Sequence, residues 1–501
     1  MAGEALTNTE QVATSLPDIA RGHGSRGSRI GVVVAAVIPA ALYLLYVYHY
    51  AVNVPFIDDW STVPIVAAAI HGHIELGALW AQWTDSREVT GRLVYMAFGI
   101  FDHLNERGVI LFSALTFTAT YVLVLVLFRS YIGRRLTPLP VFVIGIVWFS
   151  LVDFSNALWA FQLSWYFTVT FTVSAIYLLI NHRRFSFVIA LVAALAASLS
   201  FIQGFAVWPI GLICLLWQSK RNKMEVATWT ILGVVTAIVY FHGYRLLNYG
   251  CAANQDGCSI VYTLTHLNQL VGYDVMLAGN VIPLSTTGIE SHLWVHGVQG
   301  AAIFLTSAFV MVQTYRERRA QSNPLPLLLI VFALLVDFII AMGRFGEGLR
   351  YAVAVTNSRY TMPNLLLLVA IVIYVWAHLP KLHMADGLRL IGCAALIALF
   401  VVQGVAGTME GLSQSFSERQ EAAARIVVNL DRVPPSEKPC YVDYAVSSGW
   451  SKFVLPWIEL ARREHLSVFQ PESKRRYRAE GLPLLSSSEE RLRSLTACNK
   501  R

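Results

Sequence analysis

Long apolar runs, separated by short polar stretches rich in Arg, Pro, Gly and Asn, dominate this chain up to about residue 408. A hydrocarbon core needs roughly 20 apolar residues per helix. Counting runs of that kind predicts eleven spans, at 30–50, 108–128, 138–152, 163–181, 186–203, 205–219, 226–247, 296–314, 324–343, 361–378 and 388–408. The expected fold is an all-α polytopic membrane protein. Residues 1–29 are small, polar and rich in Gly and Ser, and read as a disordered tail. Residues 30–408 form the membrane domain.

Two regions break the pattern. Between spans one and two, 63-VPIVAAAIHGHIELGALWAQW-83 and 92-RLVYMAFGIFDHL-104 are too polar or too short to span, and suit amphipathic helices lying in the interface of a first outer loop, 50–107. Beyond residue 408 no run is long enough to span. Residues 409–501 are expected to form a small outer domain of mixed α/β character, with 418-ERQEAAARIVVNL-430 helical and 439-PCYVDYAV-446 strand-like.

Charge fixes the expected orientation. Sixteen Lys and Arg residues flank the spans on the side of the N-terminus and six lie in the opposite connecting loops. Positive residues stay cytoplasmic, so the reading is a multi-pass protein of the cell membrane with the N-terminus inside and the C-terminus outside. The net charge of +7 is accounted for by this asymmetry, and no nucleic-acid partner is implied. Cys251 with Cys258, and Cys440 with Cys498, then lie where an oxidising compartment lets each pair close. The absence of any N-x-Ser/Thr sequon points to a bacterial envelope.

Chemistry concentrates at the outer boundary. In 55-PFIDDWSTVP-64, Pro64 is tolerated only in a first helical turn, so the following helix begins near Thr62 or Val63, with Ser61 or Thr62 as its cap. That leaves Asp58 and Asp59 free to project as a general base or a ligand for a cation or sugar hydroxyl. In 84-TDSREVTGRLVYM-96, Glu88 and Arg92 have the i, i+4 spacing of a helical ion pair, and Arg92 or Arg87 could face a headgroup. The segment 343-GRFGEGLRYAVAVTNSRYTMP-363 puts Arg344, Arg350 and Arg359 in one outer loop, with Tyr360 beside the last. The planar guanidinium fork suits phosphate oxygens, and an arginine near lipid is costly unless paired.

Asp337 is an ionisable residue within a span, expected to pair with Arg344 or to accept from a neighbouring helix. Asp153, Asn156, Trp159, Gln162 and Trp165 read as an interfacial aromatic belt. His71 and His73 point to different faces of a short helix, which argues against zinc.

An acidic pair directly after span one, two interfacial helices in the same loop, about eleven spans and an outer C-terminal domain together resemble the GT-C class of integral membrane glycosyltransferases, which includes protein mannosyltransferases and aminoarabinose transferases. The likeness extends over nearly the whole chain, and 153-DFSNALWAFQLSWYF-167 and 198-SLSFIQGFAVWP-209 are similar to stretches of its bacterial members. The resemblance implies transfer of a sugar from a polyprenyl-phosphate carrier to a glycan, lipid or protein acceptor on the outer face, with inversion. Asp58 or Asp59 would be the base. Arg359, helped by Arg344 or Arg350, would hold the donor phosphate, with Glu88, Arg92 and Tyr360 in support. A divalent cation on the acidic pair is left open. A transporter or flippase of a lipid-linked or polar solute, and an envelope polysaccharide polymerase or ligase, are the competing readings.

Overall fold

The computed structural model describes residues 26–181, 184–218, 222–245, 265–283, 289–319, 323–344, 358–379, 386–413, 416–446 and 451–482. Among them the protein is helical, the only extended pairing being an isolated bridge between Trp83 and Ser86. The first long connection, after α1 (Arg26–Tyr50), carries the helices α2 (Val63–Ile70), α3 (Leu76–Trp80) and α4 (Val89–Asp102). There follow α5 (Glu106–Ile132), α6 (Pro138–Trp148), α7 (Phe154–Leu158), α8 (Leu163–Asn181), α9 (Ser186–Ser198), α10 (Val207–Trp217) and α11 (Lys223–Phe241). Then come α12 (Leu267–Gly279), α13 (Ile289–Arg316), α14 (Leu325–Arg344), α15 (Met362–His378) and α16 (Asp386–Ser413). The C-terminal unit holds α17 (Phe416–Asn429), α18 (Lys438–Ala445), α19 (Ser451–Arg463) and α20 (Pro471–Glu480).

Among the described residues seven stretches are long and apolar enough to cross a membrane: Arg29–Tyr50, Glu106–Ile132, Pro138–Leu158, Ala160–Asn181, Lys223–Phe241, Leu293–Arg316 and Leu325–Gly343. Three further predicted spans fall on shorter apolar helices, Ser186–Ser198, Ile202–Trp217 and Met362–His378, and the eleventh falls on α16. The outward faces are apolar, as a lipid-exposed surface requires: α1 exposes Val33, Val37 and Leu42, and α11 exposes Ile231, Val235 and Ile238.

The interior is joined by rings. Phe117 of α5 stacks between Trp148 of α6 and Tyr166 of α8, at 4.8 and 4.3 Å, and Tyr43 of α1 shares a 2.9 Å hydrogen bond with Tyr166. Helices α12 and α13 approach closely because Gly279 and Gly300 have no side chains; a Cβ there would lie 1.9 Å from the carbonyl of His296 and 1.7 Å from that of Val275.

In this first connection, α4 exposes Leu93, Ala97, Ile100 and Phe101 and buries Arg92, Tyr95, Met96 and Gly99, the amphipathic pattern expected of an interfacial helix. The segment expected as a strand, 439–446, is instead helical from Lys438 to Ala445. Pro439 suits a first turn, and Val442, Ala445 and Val446 bury one face at helical spacing, so tertiary packing overrides the β-prone Tyr and Val content. Cys440 is disulfide-bonded. Cys498, Cys251 and Cys258 lie outside the described residues.

The C-terminal unit packs on the connection between α1 and α5. Asn53 is the hub: its Oδ1 accepts from the Glu106 amide at 2.9 Å and from Ser467 Oγ at 3.1 Å, while its Nδ2 donates to the Ser467 carbonyl at 3.3 Å. The Ser467 amide donates to the His103 carbonyl at 2.8 Å. Both ends of this contact are left-handed, His103 at φ +45° and Ser467 at +49°, a conformation that non-glycine residues keep only where surroundings impose it.

Candidate active site

The acidic pair lies in a short 3-10 turn, Ile57–Thr62, ahead of α2. The helix starts at Val63 with Pro64 in its first turn, where the sequence puts it. The rest of that expectation changes. Asp59 is not free to project: it is 1% exposed, its Oδ2 accepts from the Phe56 amide at 2.9 Å, and its Oδ1 accepts from the Tyr95 hydroxyl at 2.5 Å. It thereby closes the 3-10 turn as a cap. Ser61 and Thr62 do not cap α2 through their side chains; they donate back to the carbonyls of Asp58 and Asp59, each at 2.7 Å. Asp58, 8% exposed, accepts from Trp83 Nε1 at 3.0 Å. The turn is entered through Ile57 at φ +49°, a left-handed β-branched residue whose strain the buried turn must overcome.

Burial pushes the Asp59 carboxyl up to about 7, and Asp58 adds to the rise, while the Tyr95 and Phe56 hydrogen bonds and the Trp159 indole N–H hold it down. Burial likewise raises Glu88 well above its ordinary value, against the lowering field of Arg92. The expected Glu88–Arg92 ion pair is not formed as a contact. Arg92 Nη1 donates to the carbonyls of Ala78, Leu79 and Ala81, closing the end of α3, and Glu88 Oε1 is buried with no hydrogen-bond partner among the described residues. Nor does Arg87 reach outward: it donates to the carbonyls of Trp80, Tyr240 and His242 and lies 5.1 Å from the Trp80 ring. Both arginines are held by orphan carbonyls of loop and helix ends.

Arg359 is built in from the other side. Ser358–Tyr360 form a 3-10 turn tied to the α6–α7 connection: Ser358 Oγ donates to the Val152 carbonyl at 2.7 Å, and Asn156 Nδ2 donates to the Arg359 carbonyl at 2.9 Å. The Arg359 guanidinium lies over two rings, 4.9 Å from Tyr360 and 5.7 Å from Trp159, and its Nε is buried with no hydrogen-bond partner among the described residues. Trp159 Nε1 donates to the Phe56 carbonyl at 2.9 Å. One indole thus joins the arginine to the acidic turn. The Arg344 side chain and all of Arg350 lie outside the described residues.

Trp159 and Trp165 are only 3% and 2% exposed, so they are not an interfacial belt; with Asp153, Asn156 and Gln162 they form a buried polar and aromatic joint. Asp337 accepts from Asn364 Nδ2 of α15 at 3.2 Å, the inter-helix role expected of it. His71 pairs with Glu464 of the C-terminal unit at 2.9 Å. Among the described residues no group of three or more His, Cys, Asp or Glu side chains could hold a metal ion.

Several contributors were not foreseen. Tyr95 and Trp83 hold the two carboxylates, and Phe416 and Arg419 of the C-terminal unit cover Phe56, with ring centres 5.4 Å apart and the guanidinium carbon 5.8 Å from the ring. None had a spacing signal, because they come together only through long-range packing. Near the Arg359 turn, an apolar groove of about 660 Å³ between α1, α6 and α16 is lined by Tyr46, Phe149, Ser150, Leu151, Val405 and Leu412, among others.

No family model matches the chain, and no curated protein matches it. Among solved structures the chain is similar to the archaeal oligosaccharyltransferase AglB from Archaeoglobus fulgidus, solved in complex with an inhibitory peptide and a dolichol-phosphate, with a TM-score of 0.49 and 13% identity over 87% of this chain and 63% of that one. The chain therefore spans less than two thirds of the length of that protein.

Proposed function

We propose that the protein is a membrane glycosyltransferase that moves a sugar from a polyprenyl-phosphate carrier to an acceptor hydroxyl on the outer membrane face, with inversion. The observation that carries the reading is that Trp159 lies against the Arg359 guanidinium, whose buried Nε–H has no partner among the described residues, and donates to the Phe56 carbonyl at the entry of the turn that bears Asp58 and Asp59. A carboxylate can take the proton of an acceptor hydroxyl as a general base, and an arginine at the opposite side of a reacting centre suits a departing phosphate.

In this mechanism the acceptor oxygen forms a bond to the anomeric carbon as the bond from that carbon to the carrier phosphate breaks. The acceptor's proton passes to a carboxylate, and the bonding electron pair leaves on the phosphate. Asp58, more exposed than Asp59, is the better placed of the pair to receive the proton; Asp59, which accepts from the Phe56 amide and the Tyr95 hydroxyl, anchors the turn. Arg359 stabilises the phosphate, with Tyr360 beneath it. The apolar groove next to Ser150 and Leu151 suits an isoprenoid tail, since it leads to the Val152 carbonyl that ties the Arg359 turn in place.

The test is transfer of labelled sugar from a synthetic polyprenyl-phosphate donor by the full chain in vesicles. Wild-type turnover and its loss in Asp58→Asn are expected. Solute uptake with no transfer, unchanged by Asp58→Asn and Asp59→Asn alike, would overturn the reading in favour of a transporter.

A further inference from the structure

We propose that the end of the bundle remote from Asp59 holds a binding site for the phosphate of an anionic phospholipid. Helix α5 starts at Glu106, near enough to Asp59 for the two charges to act on each other, and runs 27 residues, about 40 Å at 1.5 Å per residue. At its far end Gly133, with φ +62°, closes the helix by donating to the Arg129 carbonyl at 3.2 Å, and α6 starts five residues later at Pro138. That tight reversal gathers Arg129, Arg134 and Arg135, with Ser130, around a cavity of about 500 Å³.

No carboxylate of a described residue neutralises them. Among the described residues none of the three arginines makes an ion pair, and their one side-chain hydrogen bond runs from Arg134 Nη2 to the Trp376 carbonyl at 3.3 Å. Three guanidinia within seven residues repel one another. An asymmetric charge distribution across the membrane explains why they are on this side, but it does not explain why they line one cavity with no counter-charge among the described residues. A phosphate oxygen set satisfies the guanidinium forks. The negative end of the α5 dipole gives an anion no help here, so the arginines themselves must hold it.

The approach to the cavity decides between a lipid and a soluble anion. Leu115, Val122 and Val126 are exposed on one face of α5, at i, i+7 and i+11, and Val126 itself lines the cavity. An acyl chain lying along that stripe leaves its phosphate one turn further on, at Arg129 and Ser130.

The full chain is reconstituted in nanodiscs of phosphatidylcholine alone or mixed with phosphatidylglycerol, and the retained lipid is measured by native mass spectrometry after release into detergent. Retention of phosphatidylglycerol over phosphatidylcholine is expected, falling roughly fivefold for each arginine changed to Gln and surviving in Arg129→Lys/Arg134→Lys/Arg135→Lys. Should the triple Gln variant fail to fold, the single Arg135→Gln variant carries the test with its own fivefold loss. Unselective retention, or retention unchanged in the Gln variants, overturns the proposal. Displacement of the lipid by millimolar inorganic phosphate overturns it in favour of a soluble anion.

Discussion

The Arg359 guanidinium lies 5.7 Å from the centre of the Trp159 ring, while the N–H of that indole faces the acidic turn. Face and edge of one side chain therefore join the arginine to the Phe56 carbonyl at the entry of the acidic turn. Under the proposed reaction, Arg359→Gln should lower transfer by about 10² to 10³-fold, the usual cost of losing one preorganised donor to a developing anion. Arg359→Lys should recover only part of it, since a lysine keeps the charge but not the planar stacking. Turnover of both variants, with the donor saturating, checks this.

Asp58 and Asp59 should fail differently. Asp58→Asn is expected to remove about 10² to 10⁴-fold of turnover with little change in melting temperature. Asp59→Asn should disturb the turn that accepts the Phe56 amide and the Tyr95 hydroxyl, and so should change melting as well as turnover. Equal thermal shifts in the two variants would contradict the division of roles.

The pH dependence of stability has a definite sign. Burial raises Asp59 to about 7 in the folded protein, above its unfolded value, and Glu88 is raised as well. The folded state therefore binds more protons than the unfolded one between the ordinary carboxylate range and about pH 7. The stabilisation is complete below that range and is lost as the pH rises through 7. Melting temperature in detergent should fall across this window in the wild type and fall less in Asp59→Asn.

Trp83→Phe removes the 3.0 Å bond to Asp58 and keeps most of the ring contact with Trp457, whose centre lies 6.0 Å away. A net loss of about 1 kcal/mol is expected from a hydrogen bond of this kind, or roughly fivefold in turnover, with folding intact. Transfer assays beside circular dichroism separate the two effects.

Asn53→Ala should loosen the C-terminal unit, because it deletes the bonds to Ser467 and to the Glu106 amide together. Limited proteolysis is expected to release residues 416–482 faster from this variant than from the wild type, with the membrane helices still protected.

The membrane character and the helix start at Val63 were legible because they rest on run length and on the stereochemistry of Pro64, both local properties. The same local logic misjudged Asp59. Nothing along 55-PFIDDWSTVP-64 announces that Tyr95, 36 residues on, will take its other oxygen. It also misread 439–446, where burial of Val442 and Ala445 against neighbouring helices decides for helix, and Trp159, whose aromatic character signalled an interface although the chain buries it. The Glu88–Arg92 spacing was right for a helix pair, but the open carbonyls at the end of α3 compete for the same guanidinium and win.

The covering of Phe56 by Phe416 and Arg419, together with the Asn53 hub, has a consequence for synthesis. The segment that covers Phe56 follows the carboxylates by more than 350 residues. A nascent chain halted after its membrane helices would carry the acidic pair without its roof. Closure of the turn thus waits on a segment made after the membrane helices, a contact of long sequence separation and so a late step of folding.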